Sequence, residues 1–215
     1  CSGDLSALYF DIRKDSLYCD RPDAIRRRAA RTVMDAVFER LTAWLSPLTP
    51  FTMEEAWTTR FPEGGSNCDR VIPETPGDWR NEAEAERWAK VWKVREAVNA
   101  QLEYERGFKR IGSSLDATVR VYLDPSVEGY LEAFDGLDPA EVFIVSEASV
   151  SSGPASEKAI QDDDYAHIET AVTASSLPKC ARSWRRVPDV GSDPAYPELS
   201  ARDADAVRAW DAAQG

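Results

Sequence analysis

The chain is poor in the side chains that catalytic and metal sites most often use. Its 215 residues include one histidine, two methionines and four cysteines. The cysteines stand at positions 1, 19, 68 and 180 and form no Cys-x-x-Cys pair, so we predict free thiols rather than disulfides. The single histidine, His167, lies in an acidic segment, and no glycine-rich phosphate loop is present. Because no Ser, His and acid set can be assembled, the sequence argues against a stand-alone hydrolase.

Long apolar stretches and a secretory signal are also missing. The purely apolar runs extend over only a few residues, whereas a membrane-spanning helix needs about 20. With 43% hydrophobic and 30% charged residues, the composition is typical of a soluble globular protein. We therefore expect a cytoplasmic protein that has no membrane partner.

Basic residues are scarce in one segment of the chain. The net charge is −12, and residues 116–177 contribute −11 of it, with 2 basic and 13 acidic side chains. The remaining segments are nearly balanced. Since RNA phosphates repel carboxylates, a nucleic acid is expected to avoid residues 116–177 and to use the front of the chain or its tail.

Hydrophobic spacing predicts a mainly α chain. Apolar residues recur every three or four positions over 4–17, 25–48 and 81–106, and a capping box of Thr52 and Glu55 predicts a further helix that ends at Phe61. After Gly112 the pattern indicates strands at 119–123, 142–145 and 165–174, with a helix at 127–134 and a loop at 146–159. A proline-rich tail follows, with a helix at 203–212. We predict a helical bundle over 1–112, a small acidic α+β domain over 113–177 and a loop-rich tail over 178–215.

Three segments resemble one protein family. Residues 4–20, DLSALYFDIRKDSLYCD, resemble a signature of bacterial-type isoleucyl-tRNA synthetases. Residues 45–57, LSPLTPFTMEEAW, are similar to a helix junction in the anticodon-binding domains of the class I synthetases for isoleucine, valine, leucine and methionine. Residues 109–117, KRIGSSLDA, resemble the segment that joins this domain to a small carboxy-terminal domain in the isoleucine enzymes. The resemblance implies a class I synthetase anticodon-binding helical bundle, followed by a small α+β domain.

The resemblance also implies a function in tRNA binding. This region would position isoleucine tRNA while the catalytic domain of the same parent chain, absent here, carries out ATP-dependent aminoacylation. ATP and magnesium are implied for the parent, and no cofactor is expected in this region, because the family's His-Ile-Gly-His and Lys-Met-Ser-Lys-Ser motifs do not occur here. From the early position of the signature and from Cys1 in place of methionine, we expect a carboxy-terminal fragment. Because the catalytic motifs are missing, we expect the fragment to be inactive alone, and we also expect a monomer.

The tail resembles a zinc module from which most of the metal ligands are missing. Many relatives end in two Cys-x-x-Cys pairs, the first in Lys-Cys-x-x-Cys-Trp and the second near Pro-Glu-x-Cys. Here the four positions read Cys180, Ser183, Ser200 and Asp203. Neutral serine hydroxyls are poor zinc ligands, and a structural zinc site needs four good ones. We therefore predict that the tail binds no zinc.

Basic and aromatic residues in the helical part and the tail are candidates for tRNA contact. Arginine and lysine would bind phosphates, and exposed aromatic rings would stack on unpaired bases. The candidates are Arg13, Lys14, Arg26, Arg27, Arg28, Arg31, Trp57, Arg60, Arg182, Trp184 and Arg185. Two other interpretations stay open: solvated helix faces for the charged residues, with Asp20, Asp23 and Asp35 as partners of the arginine cluster, and core packing for the tryptophans. The alternative function is a protein-interaction or intramolecular docking module, acting through the acidic domain.

Overall fold

A computed structural model describes residues 2–155, 159–161 and 165–214. The chain forms two compact units, one made of residues 1–21 and 82–215 and the other of residues 22–81. Both predicted domain boundaries, at 112/113 and at 177/178, fall inside the first unit, so that division stays a prediction. No helix within the described residues combines the length and the apolar character needed to cross a bilayer.

The described residues contain six α-helices and four strands. The helices are α1 (Asp11–Cys19), α2 (Ile25–Leu45), α3 (Pro50–Arg60), α4 (Glu82–Gly107), α5 (Pro139–Phe143) and α6 (Ala201–Gln214). A π-helical segment, Ser2–Phe10, leads directly into α1. The strands are β1 (Ala117–Leu123), β2 (Glu147–Ser152), β3 (Ile160–Gln161) and β4 (Ile168–Ala174). The prediction of a mainly α chain with a small α+β part is confirmed.

The larger unit is built around one apolar core. The long helix α4 buries Val91, Val94, Val98 and Leu102 on the side that faces the sheet. The strand β1 contributes Val119, Val121 and Leu123 at alternate positions, as the two-residue period of a strand requires. Phe134 and Phe143 fill the space between the helix and the sheet, with ring centroids 5.8 Å apart.

The sheet has the order β2-β1-β4-β3. Its β1 and β2 strands are parallel, and the connection between them contains α5 and a short 3₁₀ helix, Glu132–Phe134. The other neighbours are antiparallel. This leaves β2 and β3 at the two edges, and β2 is accordingly half-exposed to exposed along its whole length.

The smaller unit consists of α2, α3 and a connection that contains two short 3₁₀ helices, Asn67–Asp69 and Gly77–Trp79. Its central polar group is Arg70, which donates to Thr42 Oγ1 at 3.0 Å and to Asn67 Oδ1 at 2.9 Å. Asn67 is buried and donates in turn to the carbonyl of Thr42. These bonds fasten the irregular connection to α2.

Several predicted elements differ from the structure. Residues 142–145 were predicted as a strand, but Asp138 caps Ala140 N and Pro139 opens α5 there, with Ile144 in a left-handed conformation at its end. Part of the predicted loop 146–159 is strand β2, and residues 156–158 of that loop lie outside the described residues. The predicted helix 127–134 is reduced to one 3₁₀ turn. Helix α3 begins at Pro50 with Thr49 as its N-cap, so the capping box at Thr52 is wrong.

Candidate nucleic-acid interface

The smaller unit presents a row of arginines at the start of α2. Arg26, Arg28 and Arg31 are exposed, and Arg27 is half-buried. Arg28 and Arg31 lie three residues apart, so their side chains emerge next to each other on the helix surface. Among the described residues neither makes a side-chain hydrogen bond or an ion pair, whereas Arg26 and Arg27 each have a partner. The first turn of α2 carries no acidic residue.

The other candidates of this unit are engaged in packing and pairing. Arg60 pairs with Asp35 at 3.2 Å and lies over the ring of Phe61, so Asp35 balances Arg60. Trp57 is 9% exposed. The Arg70 guanidinium covers its ring at 3.5 Å from the centroid, and Phe61 packs beside it with a centroid distance of 4.5 Å. Trp57 therefore offers no free face to a base, and we leave it out of the proposed interface.

The larger unit contains a cleft of about 360 Å³ between α1, α5 and the tail. Its floor is apolar and includes Ile12, Ile144 and Val145. Four of the predicted tRNA contacts occur among its lining residues: Lys14, Arg182, Trp184 and Arg185. Tyr18 also lines the cleft and is 74% exposed, and this residue was not predicted. The fifth predicted residue of this unit, Arg13, pairs with Glu141 at 2.8 Å beside the cleft.

Trp184 occupies an unusual backbone conformation for a large side chain. Its φ is 62°, in the left-handed region that costs a residue with a Cβ about 1–2 kcal/mol. The turn around it is closed by bonds from Trp184 N to the Cys180 carbonyl and from Cys180 N to the Arg185 carbonyl, both 2.9 Å. Trp184 is 63% exposed, and the Lys179 ammonium lies 5.9 Å from the centroid of its ring. A strained turn therefore holds an exposed indole at the edge of the cleft.

The basic residues of the cleft differ in how exposed they are and in how many hydrogen bonds they already make within the protein. Lys14 is 65% exposed and, within the part of the chain that the structure describes, its ammonium bonds Asp11 alone, at 2.8 Å. This bond raises the pKa of the lysine. Arg185 donates to the Ser146 carbonyl at 3.1 Å. Arg182 is 29% exposed and donates to the carbonyls of Tyr18 and Cys19 at the end of α1, so it serves mainly to hold the tail to that helix.

The four zinc-like positions of the tail lie together in space. Cys180, Ser183 and Ser200 all donate to one oxygen of Asp203, Oδ2, at 3.1, 2.7 and 2.8 Å. The second oxygen, Oδ1, accepts from Arg182 at 2.9 Å. Asp203 and Cys180 are fully buried. Burial by itself would raise the pKa of Asp203, but the hydrogen bonds from the two serines and the cysteine, together with the nearby charge of Arg202, hold it below its usual value.

Residues 1–122 match the family model of the anticodon-binding domain of tRNA ligases. The chain belongs to this family. Over all 215 residues it is 57% identical to the isoleucine–tRNA ligase of Caulobacter vibrioides, of which it covers 22%. It is 50% identical over 206 residues to that of Brucella abortus and 47% identical over 205 residues to that of Bartonella henselae, covering 95% of this chain and 21% of each relative. The chain thus spans about a fifth of the length of the curated relatives it matches.

These matches confirm the resemblance that the sequence motifs indicated. The family model covers α1 to α4 and nearly all of β1, so it includes the arginines of α2 and Lys14. The tail lies beyond the family model, but the alignment with the Caulobacter vibrioides protein extends over all 215 residues and so includes it. Trp184 and Arg185 therefore lie outside the region that the family model covers.

The donor set of the tail does not fit the zinc ion of the related modules. Two of the four positions are serine hydroxyls, and tetrahedral zinc sites use thiolate, imidazole or carboxylate ligands. The Asp203 carboxylate already has a guanidinium on its second oxygen. Within 2–155, 159–161 and 165–214, no three His, Cys, Asp or Glu residues are grouped so that they could hold a metal ion. The prediction of a zinc-free tail stays a prediction, to which this hydrogen-bond geometry adds an argument.

Proposed function

We propose that this chain is the anticodon-binding region of an isoleucyl-tRNA synthetase. It would hold the anticodon stem-loop of isoleucine tRNA while a catalytic domain of the same polypeptide joins isoleucine to the tRNA with ATP and magnesium. The observation that carries the proposal is the 57% identity to an isoleucine–tRNA ligase over the whole of this chain, together with the family match of its first 122 residues. We further propose that the chain is monomeric and acts in the cytoplasm.

The arginine row of α2 is the proposed phosphate contact. Arg28 and Arg31 are exposed side by side and, among the described residues, carry no internal counter-charge. Such residues neutralise backbone phosphates and fix the register of the RNA without reading its sequence. Each contact of this kind adds about 0.7–0.9 to the slope of log K against log salt. The arginines therefore supply a measurable, salt-dependent part of the affinity.

The cleft of the larger unit is the proposed base contact. The exposed indole of Trp184 and the exposed ring of Tyr18 both line it. Unpaired loop bases stack on exposed aromatic faces of this kind, and each stacked base contributes about 1–3 kcal/mol. Lys14 and Arg185 lie among the same lining residues and can bind the phosphates that flank such a base. The carboxylates of Asp11, Asp15 and Glu141 also line the cleft, so its lining carries no excess of positive charge. The cleft thus combines a stacking surface with individual basic side chains.

The negative charge of residues 116–177 limits where the RNA can lie. With 2 basic and 13 acidic side chains, this segment repels phosphates over distances of about a Debye length, 8–10 Å near physiological salt. The proposed contact residues on α1, on α2 and in the tail come from segments of nearly balanced charge. The acidic segment reaches the cleft only through α5 and the two residues that follow it, where Glu141 is paired with Arg13. The acidic segment would therefore disfavour non-specific binding of other nucleic acids.

Charge reversal on α2 tests the phosphate contact. We expect Arg28→Glu to weaken binding of isoleucine tRNA and to lower the salt slope by about 1. Arg120→Glu is the matched control, because it makes the same charge change at an exposed position of β1 within the acidic segment. Equal losses for the two variants would contradict a specific contact at α2, since they would reflect net charge alone.

Titration with two RNAs tests the proposed function as a whole. Isoleucine tRNA and the same tRNA with an altered anticodon are each titrated into the protein at fixed salt, and binding is followed by fluorescence anisotropy. We expect the unaltered tRNA to bind more tightly, because the base contacts depend on the anticodon. Equal and negligible binding of both RNAs would count against tRNA recognition and would favour the alternative of an interaction module.

A further inference from the structure

The buried carboxylate of Asp203 organises the tail. Three side chains that are separated along the sequence, Cys180, Ser183 and Ser200, donate to its Oδ2 atom. The network closes on itself, because Ser200 N donates to Cys180 Sγ at 3.3 Å and Asp203 N donates to Ser200 Oγ at 3.3 Å. A single buried oxygen therefore joins the turn at 180–184 to the start of α6.

Two arginines join this network to α1. Arg182 bonds Asp203 Oδ1 at 2.9 Å and also donates to the Tyr18 and Cys19 carbonyls, at 2.7 and 2.6 Å. Those carbonyls belong to the last turn of α1, where no helical amide is available to them. Arg202 donates to both oxygens of Asp15, at 2.5 and 3.0 Å, and lies 3.6 Å from Asp203.

The carboxylate of Asp203 is paired with positive charge from the protein itself. A buried carboxylate is costly unless it is paired and hydrogen-bonded, and Asp203 has both a guanidinium partner and three side-chain donors. In a zinc module, the metal ion supplies the positive charge at the centre and the four ligands surround it. Here the centre is negative, and the positive charge lies outside it on Arg182 and Arg202.

We propose that the tail folds independently of metal, with the Asp203 carboxylate as the common hydrogen-bond acceptor in the place of a zinc ion and with Arg182 and Arg202 linking it to α1. The carboxylate closes the turn that carries Trp184, since Ser183 precedes the tryptophan and Trp184 N bonds the Cys180 carbonyl. The proposal concerns folding and does not depend on whether Trp184 binds RNA.

Hydrogen exchange measured by mass spectrometry tests the role of Asp203. In Asp203→Asn the side chain carries no charge, and if its oxygen keeps the three donors of Oδ2, its NH2 group replaces the acceptor Oδ1 opposite the Arg182 guanidinium. We therefore expect protection of residues 178–214 and of the end of α1 to fall by roughly 30-fold or more. Asp205→Asn is the matched control, because this carboxylate is 53% exposed and pairs with the exposed Arg21. We expect little change in the control.

If Asp203→Asn fails to fold, a milder variant, Ser183→Ala, tests the same hydrogen-bond network. Ser183→Ala removes one donor and leaves the carboxylate paired, so we expect a loss of protection of about fivefold, confined to the same peptides. Unchanged protection in both Asp203→Asn and Ser183→Ala would overturn the proposal.

Metal analysis tests the independence from zinc. We expect purified protein to contain far less than one zinc per chain, and its unfolding midpoint to be unaffected by a chelator. One bound zinc per chain, or a midpoint lowered by the chelator, would overturn the proposal.

A gain-of-function variant tests the shared centre. With Ser183→Cys, Ser200→Cys and Asp203→Cys combined, four thiols surround the point now occupied by the carboxylate oxygen. We expect this variant, unlike the wild type, to bind cobalt(II) with the absorption of a tetrahedral thiolate site. Cobalt binding by the wild type, or its absence in the variant, would contradict the inferred arrangement.

Discussion

Replacing Trp184 by glycine separates the proposed RNA contact from folding. The tryptophan is 63% exposed and has a left-handed backbone. Glycine adopts that conformation without a steric cost, so this substitution removes both the ring and the strain.

The expected change in stability is small because opposing contributions nearly cancel. The buried third of the indole corresponds to about 60–90 Å², which contributes roughly 2 kcal/mol to folding. Relief of the left-handed strain raises the free energy of unfolding by about 1–2 kcal/mol. The greater flexibility of glycine in the unfolded chain lowers it by about 0.4–1 kcal/mol. We therefore expect Trp184→Gly to lower the free energy of unfolding by only about 1 kcal/mol.

The expected change in tRNA affinity is larger. Loss of one base-stacking contact weakens binding by about 1–3 kcal/mol, a factor of roughly 5–150 in the dissociation constant. Trp184→Phe retains an aromatic face and should preserve most of the affinity. Trp210→Ala is the control, since Trp210 lies on α6 of the same unit and is 53% exposed.

Anisotropy titrations with isoleucine tRNA give the affinities, and urea unfolding followed by circular dichroism gives the stabilities. Unchanged affinity in Trp184→Gly would refute the reasoning. So would a loss in Trp210→Ala of the same size, because it would indicate that any exposed tryptophan of this unit affects binding.

Three further outcomes follow from particular contacts. In a Cys1→Ser background, a thiol reagent at pH 8 should modify the exposed Cys68 quickly and Cys19 slowly, because burial, aided by nearby carboxylates, raises the pKa of Cys19 to about 11; equal rates would contradict this. The hydrogen bond from Arg186 holds the pKa of Asp116 below its usual value, so its stabilising contribution is full above about pH 3.9 and is lost as the pH falls through the folded-state pKa. The free energies of unfolding of wild type and Asp116→Asn, measured with urea, should therefore differ at neutral pH and converge in acid. A difference that stays constant with pH would argue against a stabilising role of the ionised Asp116 carboxylate. Arg70→Met should lower the free energy of unfolding of the smaller unit by about 2–4 kcal/mol, because methionine cannot make the hydrogen bonds of Arg70 or its cation–π contact with Trp57. We expect a lower thermal midpoint, and an unchanged midpoint would be inconsistent with that role.

The helices were the most predictable part of the fold. Helix α4 repeats apolar residues at three- and four-residue steps for seven turns, and its predicted bounds, 81–106, differ from Glu82–Gly107 by one residue at each end. The errors occur where local chemistry overrides the pattern. Residues 142–145 are apolar because they lie at the buried end of the short helix α5, which begins at Pro139. Strand β2 has few apolar residues because it lies at the edge of the sheet, where its side chains are half-exposed or exposed.

The candidate site was only partly predictable from the sequence. Spacing on α2 indicated the exposed arginines, since neighbours on a helix are fixed by its period. The sequence could not indicate that Arg70 covers Trp57, that Tyr18 lines the same cleft as Trp184, or that Arg182 is held by Asp203 and α1. Each of these contacts joins residues that are distant along the chain, and only the three-dimensional arrangement brings them together.

Hydroxyl-radical footprinting of isoleucine tRNA, with this chain as the only protein, tests the central claim most directly. The arginine row of α2 and the cleft of the larger unit are each proposed to contact the anticodon stem-loop. We predict that backbone protection is confined to that stem-loop and weakens in the Arg28→Glu and Trp184→Gly variants. Protection of the acceptor stem alone, protection spread evenly over the tRNA, or none at saturating protein would contradict the account.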